Sequence, residues 1–394
     1  MRFLHLADLH IGKIVNAYNM IEDQEYLLKQ VVELIKEERV HAVLLAGDIY
    51  DKTQPSEDAV NLFDWFLNQV SETNAHIIAI PGNHDSAERL AFAQSFLKKQ
   101  GVHFPPSFSG EMERVVLEDE HGPVNFWLLP YLRPIDARRA FPDAEIGSDY
   151  TKAVKTVLDA APINTKERNV LLSHQFVTAL GYKPERANEE ISLGGVDNVD
   201  VSAYDSFDYV ALGHVHRPQR IGRDTVRYAG SLLKYNISEA RFPKSVTLVD
   251  VGPKADNDKP GSCITFEQIS LTPLHEMRQI KGPLAQLLDE QVVSAGAPND
   301  FLHVTLTDET PQIDALNRLR ATYPNILALD YDNATTRSNT SLSTSSQTLE
   351  DIDPVRVFSE FFSAQAGHEL NDEQAQLASK LLYQSTEEVK GGMR

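Results

Sequence analysis

Short apolar runs that stop at a glycine or a polar turn alternate with stretches of helical periodicity along the first hundred residues. Residues 2–7 form such a run, and 22–39 follow with Tyr26, Leu27, Val31, Leu34 and Ile35 on one helical face. Residues 41–46 read as a buried strand ending at Gly47. Pro55 and Ser56 open a helix to about Val70, with Ser56 as N-cap. Residues 76–80 are another strand, stopped by Pro81-Gly82, and 87–99 read as a helix. This β-loop-α order predicts an α/β layered domain. Further strands are expected at 124–129, 170–173, 209–212, 226–228 and 246–251, with few helices between them. The turn-rich stretch 252–261 reads as the loop of a hairpin.

A second pattern starts near Leu274. Strands at 277–280, 301–307 and 326–331, with helices from Pro283 and over 310–323, describe a small α+β unit of 274–332 that leans on the larger domain of 1–273. Residues 333–350 are rich in Ser, Thr and Asn and read as a linker. Residues 351–394 then carry two amphipathic helices. One opens at Asp353-Pro354 and bears Val355, Phe358, Phe361 and Phe362. The other is capped by Asn371 with Gln374 three residues on.

Composition narrows this picture. The 394 residues are 42% apolar and 24% charged, which fits a folded chain of two or three domains. No apolar run approaches the ~20 residues of a membrane span, and no signal-peptide core is visible at the start. The single Cys263 excludes an internal disulfide and a cysteine-ligated zinc site. These features favour the cytoplasm. The 57 acidic against 37 basic residues give a net charge of −20, which repels phosphate backbones on average. A nucleic-acid substrate would therefore need metal ions, a local basic patch or a partner to attract it.

The chemistry concentrates at five strand exits: Asp8-Leu9-His10, Gly47-Asp48-Ile49-Tyr50-Asp51, Gly82-Asn83-His84-Asp85, Ser173-His174 and Gly213-His214-Val215-His216. Ligands of open α/β sheets gather in the crevice beyond the carboxyl ends of strands. Carboxylates, an amide and imidazoles suit divalent manganese, iron or zinc. The glycines before Asp48, Asn83 and His214 are expected to permit sharp turns. Alternation places His214 and His216 on one side of an extended segment. Taken singly, each motif also reads as ordinary turn or core chemistry. Their joint occurrence in one order is what points to a shared metal site.

This series resembles the calcineurin-like metallophosphoesterases, whose fold is a β-sandwich flanked by helices. The stretches His5-Leu6-Ala7-Asp8-Leu9-His10-Ile11-Gly12 and Pro81-Gly82-Asn83-His84-Asp85, with Arg89-Leu90 beyond, resemble the SbcD-type nucleases of that family. The resemblance implies two divalent ions, most often manganese. One would be held by Asp8, His10, Asp48 and His216, the other by Asp48, Asn83, His174 and His214, with Asp48 bridging. His84 would face the scissile phosphate, and Asp85 is expected to orient its ring. Asp51 stands where related archaeal and eukaryotic nucleases usually have His, and receives no role. Arg89 is read either as a phosphate contact or as a surface ion pair.

The implied activity is DNA cleavage, exonucleolytic on duplex ends and endonucleolytic on single strands and hairpins, in repair, recombination and replication. The implied partner is an SbcC-type coiled-coil ATPase, met by the C-terminal helices, with 274–332 as a cap and a homodimer inside a heterotetramer. The chain has no G-x-x-x-x-G-K-[ST] loop and is not expected to hydrolyse ATP. The helix over 56–70 carries Val60, Phe63, Trp65, Phe66 and Val70, an apolar width that suits either core or interface. A phosphatase or cyclic-nucleotide phosphodiesterase with the same ligands, and an inert scaffold, are the competing readings.

Overall fold

The computed structural model describes residues 1–179, 183–185, 197–255, 258–310, 312–334, 336, 358–359, 362, 370–371, 374–375 and 377–379. The apolar runs pair into two six-stranded sheets. In the first, Arg2–Leu6, Ala42–Ala46, His76–Ile80 and Val102–His103 lie parallel in that order. Ser245–Val251 pairs antiparallel on the free side of Arg2–Leu6, and Ile264–Ser270 forms the edge beyond it. In the second, Gly122–Leu129, Arg168–His174, Tyr209–Gly213 and Arg223–Tyr228 are parallel, and Glu113–Asp119 and Gln219–Ile221 close the two edges antiparallel.

The sheets face each other across a layer that includes Phe3, Leu44, Ile78, Phe126, Leu172 and Tyr209, all without solvent exposure. On the outer face of the first sheet, Leu27, Val31 and Ile35 of the helix Ile21–Glu38 and Phe63, Phe66 and Val70 of Glu57–Ser71 form a second layer. The helix Tyr150–Ala160 covers the second sheet through Val154, Val157 and Leu158. The result is the expected β-sandwich flanked by helices. Strand runs buried on both faces carry no alternation, which is why they read as continuous apolar segments.

Three local expectations are corrected. The helix over 87–99 is broken: Ala87–Leu90 and Gln94–Leu97 are separated at Ala93, whose φ of +59° no right-handed helix accepts. The helix over 310–323 is reduced to Ala315–Arg320, because Asp314 takes φ +54° at its start. The stretch expected to be poor in helices holds Pro134–Ala140 and Tyr150–Ala160. Ser56 caps its helix as expected, accepting the Ala59 N–H at 3.3 Å.

Met277–Gly282, Phe301–Leu306 and Ile326–Tyr331 form a separate parallel three-stranded sheet packed on Leu284, Leu287, Leu319 and Tyr323. Met277 and Phe301 join the apolar layer of the large sandwich, and residues Met1–Tyr331 make one compact unit. The remaining unit is Asp332–Arg394. Most of the expected linker and tail helices lie outside the described residues. Within them, Asn371 and Gln374 exchange side-chain to backbone hydrogen bonds of 2.9 and 3.1 Å, the reciprocal cap read from the sequence. Among the described residues no helix is long and apolar enough to cross a membrane.

Candidate metal centre

The parallel strands of both sheets end at one rim, and the five motifs leave from there. Asp8 and His10 follow Arg2–Leu6, Asp48 follows Ala42–Ala46, and Asn83 follows His76–Ile80. His174 closes Arg168–His174, and His214 and His216 follow Tyr209–Gly213. Backbone bonds lace the loops together: Asp8 N–H to the Gly47 carbonyl at 3.0 Å, and His10 N–H to the Asp48 carbonyl at 2.9 Å.

Two of the three glycines act through space rather than rotation. A Cβ on Gly213 would stand 1.9 Å from the Ala46 carbonyl oxygen, and one on Gly82 would stand 2.1 Å from Asp48 Oδ1. Only Gly47 has a left-handed φ, +91°. The left-handed geometry falls instead on the functional residues: Asp8 (+52°), His10 (+43°), Asp48 (+50°) and His214 (+101°). Such backbone costs ~1–3 kcal/mol per residue and persists where the surroundings hold it, as at active sites.

All seven nominated donors converge. Asp48 Oδ2 lies 3.7 Å from His10 Nε2 and 3.2 Å from His174 Nε2, between imidazoles of the two expected sets. His10 Nε2 and His216 Nε2 face each other at 3.1 Å. Asn83 Oδ1 is 3.1 Å from His174 Nε2 and 3.0 Å from His214 Nδ1. Asp8 Oδ1 accepts the His214 N–H at 2.9 Å, while its Oδ2 is buried with no hydrogen-bond partner. Donor atoms of Asp8, His10 and His216, and of Asp8, Asp48 and His174, group closely enough to share an ion.

The set fits cations. Carboxylate, amide and imidazole donor atoms crowd at 3.0–3.7 Å from one another, and a buried carboxylate oxygen lacks any proton donor. Both conditions are costly without a positive charge between them. The field acts accordingly. Burial pushes Asp48 upward, but His174, His10 and His84 outweigh it and hold its carboxyl well below the usual range. Burial alone would lower His174, yet Asp48 beside it lifts the imidazole to about 9.

His84 sits at the open side. Its N–H donates to Asp48 Oδ1 at 2.9 Å, and its ring crosses that of His10 edge-on with centroids 4.9 Å apart. Its Nδ1 lies 2.9 Å from the Asp51 carbonyl, which acts as acceptor and leaves Nε2 as the ring's other nitrogen. The expectation that Asp85 orients this ring is corrected. The Asp85 carboxylate turns inward and accepts the N–H groups of Ile49, Tyr50 and Gly82 at 3.1, 2.9 and 2.9 Å. Three convergent backbone donors outbid a ring that already has an acceptor, so Asp85 ties the Asp48 loop to the Asn83 loop. Burial and the nearby Asp48 push it up to about 6 even so. Asp51 itself pairs with Lys13 at 3.0 Å. Arg89 lines a cleft of about 610 Å³ that also borders Asn83, Tyr131 and Arg133.

Several site residues carry no sequence signal. Gln24 donates to the His10 carbonyl at 2.7 Å and accepts the Gly12 N–H at 2.9 Å, shaping the first loop from inside a helix. Tyr235 bonds the Leu9 carbonyl and flanks the rings of His10 and His216. Tyr131 stacks on His214 with centroids 6.4 Å apart. Glu239 meets His216 Nδ1 at 3.3 Å, and Lys244 and His216 hold its carboxyl at about 2 against the upward push of burial.

The family model for calcineurin-like phosphoesterases matches residues 1–218, more than half of the chain and all seven donors. The chain belongs to the calcineurin-like phosphoesterase family. A second model, that of the SbcD C-terminal domain, described as type 5 capsule protein repressor C-terminal domain, matches residues 273–366. Together they make this calcineurin-like phosphoesterase an SbcD-type member, and a metal-dependent phosphoesterase.

Two solved structures are similar. One is a dimetal phosphatase from Danio rerio, 14% identical with a TM-score of 0.42, covering 70% of this chain and 98% of its own. The other is a psychrophilic β-glucosidase from Micrococcus antarcticus, 10% identical with a TM-score of 0.19, covering 84% and 83%.

Proposed function

We propose that this phosphoesterase is a two-metal DNA nuclease, the cytoplasmic cutting subunit of a complex with an SbcC-type coiled-coil ATPase that serves DNA repair, recombination and replication. The observation that carries the two-metal part is Asp48 Oδ2 between His10 and His174, with His84 on the open side. Asp8, His10, Asp48 and His216 would hold one ion, and Asp48, Asn83, His174 and His214 the other. Manganese suits this mixed oxygen and imidazole set. When bound, paired divalent ions supply a hydroxide nucleophile near neutral pH and neutralise phosphate charge.

The chain does the rest. The Asp51 carbonyl holds His84 with Nδ1–H inward, so the ring's second proton, present in its imidazolium form, sits on Nε2 and would pass to the departing ribose oxygen as the phosphorus–oxygen bond breaks. Water adds hydroxide to phosphorus and releases one proton to solvent, the alcohol leaves neutral with the proton from His84, and His84 is reprotonated from solvent. Tyr131 and Arg89, along the cleft beside Asn83, would meet the neighbouring nucleotide.

Support for a nuclease over a small-molecule phosphatase comes from the SbcD-type match over 273–366. The net charge of −20 supports delegating duplex affinity to a partner, with 274–332 as cap and 351–394 as its docking tail. Exposed Val60 (44%) and Phe92 (80%) border an apolar groove of about 510 Å³ between the helices Glu57–Ser71 and Ala87–Leu90, which supports a homodimer through this face.

The test is hydrolysis with manganese of a blunt duplex, a DNA hairpin and p-nitrophenyl phosphate. Cleavage of the DNAs at rates well above the monoester is expected. Turnover of the monoester alone would replace the nuclease reading with a phosphatase.

A further inference from the structure

His216 is gripped from behind. Glu239 ends the short turn Ile237–Glu239, is 3% exposed, and brings Oε1 to 3.3 Å from His216 Nδ1. Its Oε2 takes Lys244 Nζ at 2.5 Å. The same ammonium donates to the His216 carbonyl and to Ser231 Oγ, both at 2.8 Å. One buried cation thus ties the carboxylate to the backbone of the histidine whose ring it meets.

A neutral imidazole has one N–H, and an ionised carboxylate only accepts. The proton therefore belongs on Nδ1, and the lone pair stays on Nε2, the atom facing His10 at 3.1 Å. His174 solves the same problem differently: its Nδ1 meets the Ala46 carbonyl at 2.8 Å, a neutral acceptor. His216 and His174, one imidazole from each expected ion position, are thus supported unequally. A full negative charge backs one imidazole and a carbonyl dipole backs the other. Partners of this kind orient metal-binding histidines and raise their basicity.

Resting on the two-metal reading above, we propose that Glu239, clamped by Lys244, is a positioning residue that fixes the tautomer of His216 and sets the affinity of the Asp8–His10–Asp48–His216 ion alone. Glu239 touches neither substrate nor ion. Its loss is felt through His216, and the ion at Asn83, His174 and His214 keeps its own support.

The experiment is a manganese titration of the full chain read by electron paramagnetic resonance. It compares wild type, Glu239→Gln and the double variant Glu239→Gln/Lys244→Met, which removes the ammonium left unpaired by the first change. Metal-free melting curves and long-range proton–nitrogen spectra of the His216 ring accompany it. In the double variant one of the two ions is expected to bind ~10–100-fold more weakly, the other as in wild type. The metal-free fold should persist, and the His216 ring should lose its pure Nδ1–H signature. Two ions bound with wild-type affinity in that variant would overturn the positioning role and leave the metal centre standing. Wild-type protein that takes up no manganese would overturn the two-metal reading, and this role with it.

Discussion

His84 and Asp85 are adjacent in sequence and opposite in duty. The ring of His84 is aimed by the Asp51 carbonyl, while Asp85 spends its carboxylate on three backbone N–H groups. His84→Ala is therefore expected to keep both ions and to lower DNA cleavage by ~10²-fold or more, read by metal analysis beside a nuclease assay. Unchanged cleavage would remove His84 from the reaction. A different histidine contributes to acid stability. His5 lies between the sheets with Nδ1 3.0 Å from the Tyr209 hydroxyl, and burial, aided by Arg227, lowers it to about 3. Between that value and the ~6.5 of an unfolded histidine, only the unfolded chain binds the proton. Stability then rises with pH across the window and is lost as pH falls through it. Unfolding free energy against pH between ~4 and ~6 is expected to be flatter in His5→Gln by about 1.4 kcal/mol per pH unit. Equal slopes would show that His5 titrates normally in the fold.

At the scale of elements, strand exits were the legible part. Apolar runs that stop at Gly47, Pro81-Gly82 and Gly213 place Asp48, Asn83, His214 and His216 at one rim, the strand ends at Leu6 and His174 bring Asp8, His10 and His174 there, and the donors do meet. The reason for those glycines was not legible. Gly82 and Gly213 are needed because another loop's atoms occupy the space of a Cβ, and the sequence does not show which loop comes near. Gly82→Ala forces that Cβ against Asp48 Oδ1, and overpacking of this kind costs ~1–3 kcal/mol. A lowered melting temperature together with weakened manganese uptake is expected. Wild-type uptake would show that the loops yield freely. Glu239, Gln24 and Tyr235 were invisible for the same reason: each reaches a motif from another part of the chain brought near by the fold, rather than through a pattern. The edge strand Glu113–Asp119 also escaped, since only Val115 along it is buried. The helix over 87–99 was misread because its composition is helical throughout and nothing in it announces the left-handed Ala93.

The whole molecule pairs a deeply fixed centre with surfaces that ask for company. Phe92, 80% exposed, lines one groove with Val60, and Phe96 four residues on is 65% exposed, more apolar surface than one helix turn normally leaves in water. Phe92→Asp is expected to shift sedimentation from dimer to monomer; an unshifted dimer would place the interface elsewhere. Removing 351–394 should leave manganese uptake intact and abolish association with the ATPase, checked by co-purification. The most direct test of the account is anomalous diffraction from manganese-soaked crystals of the full chain. Two peaks are expected, one among Asp8, His10 and His216 and one among Asn83, His174 and His214, with the Asp48 carboxylate between them. A map with no peak at that rim, or with the seven side chains turned apart, would contradict it.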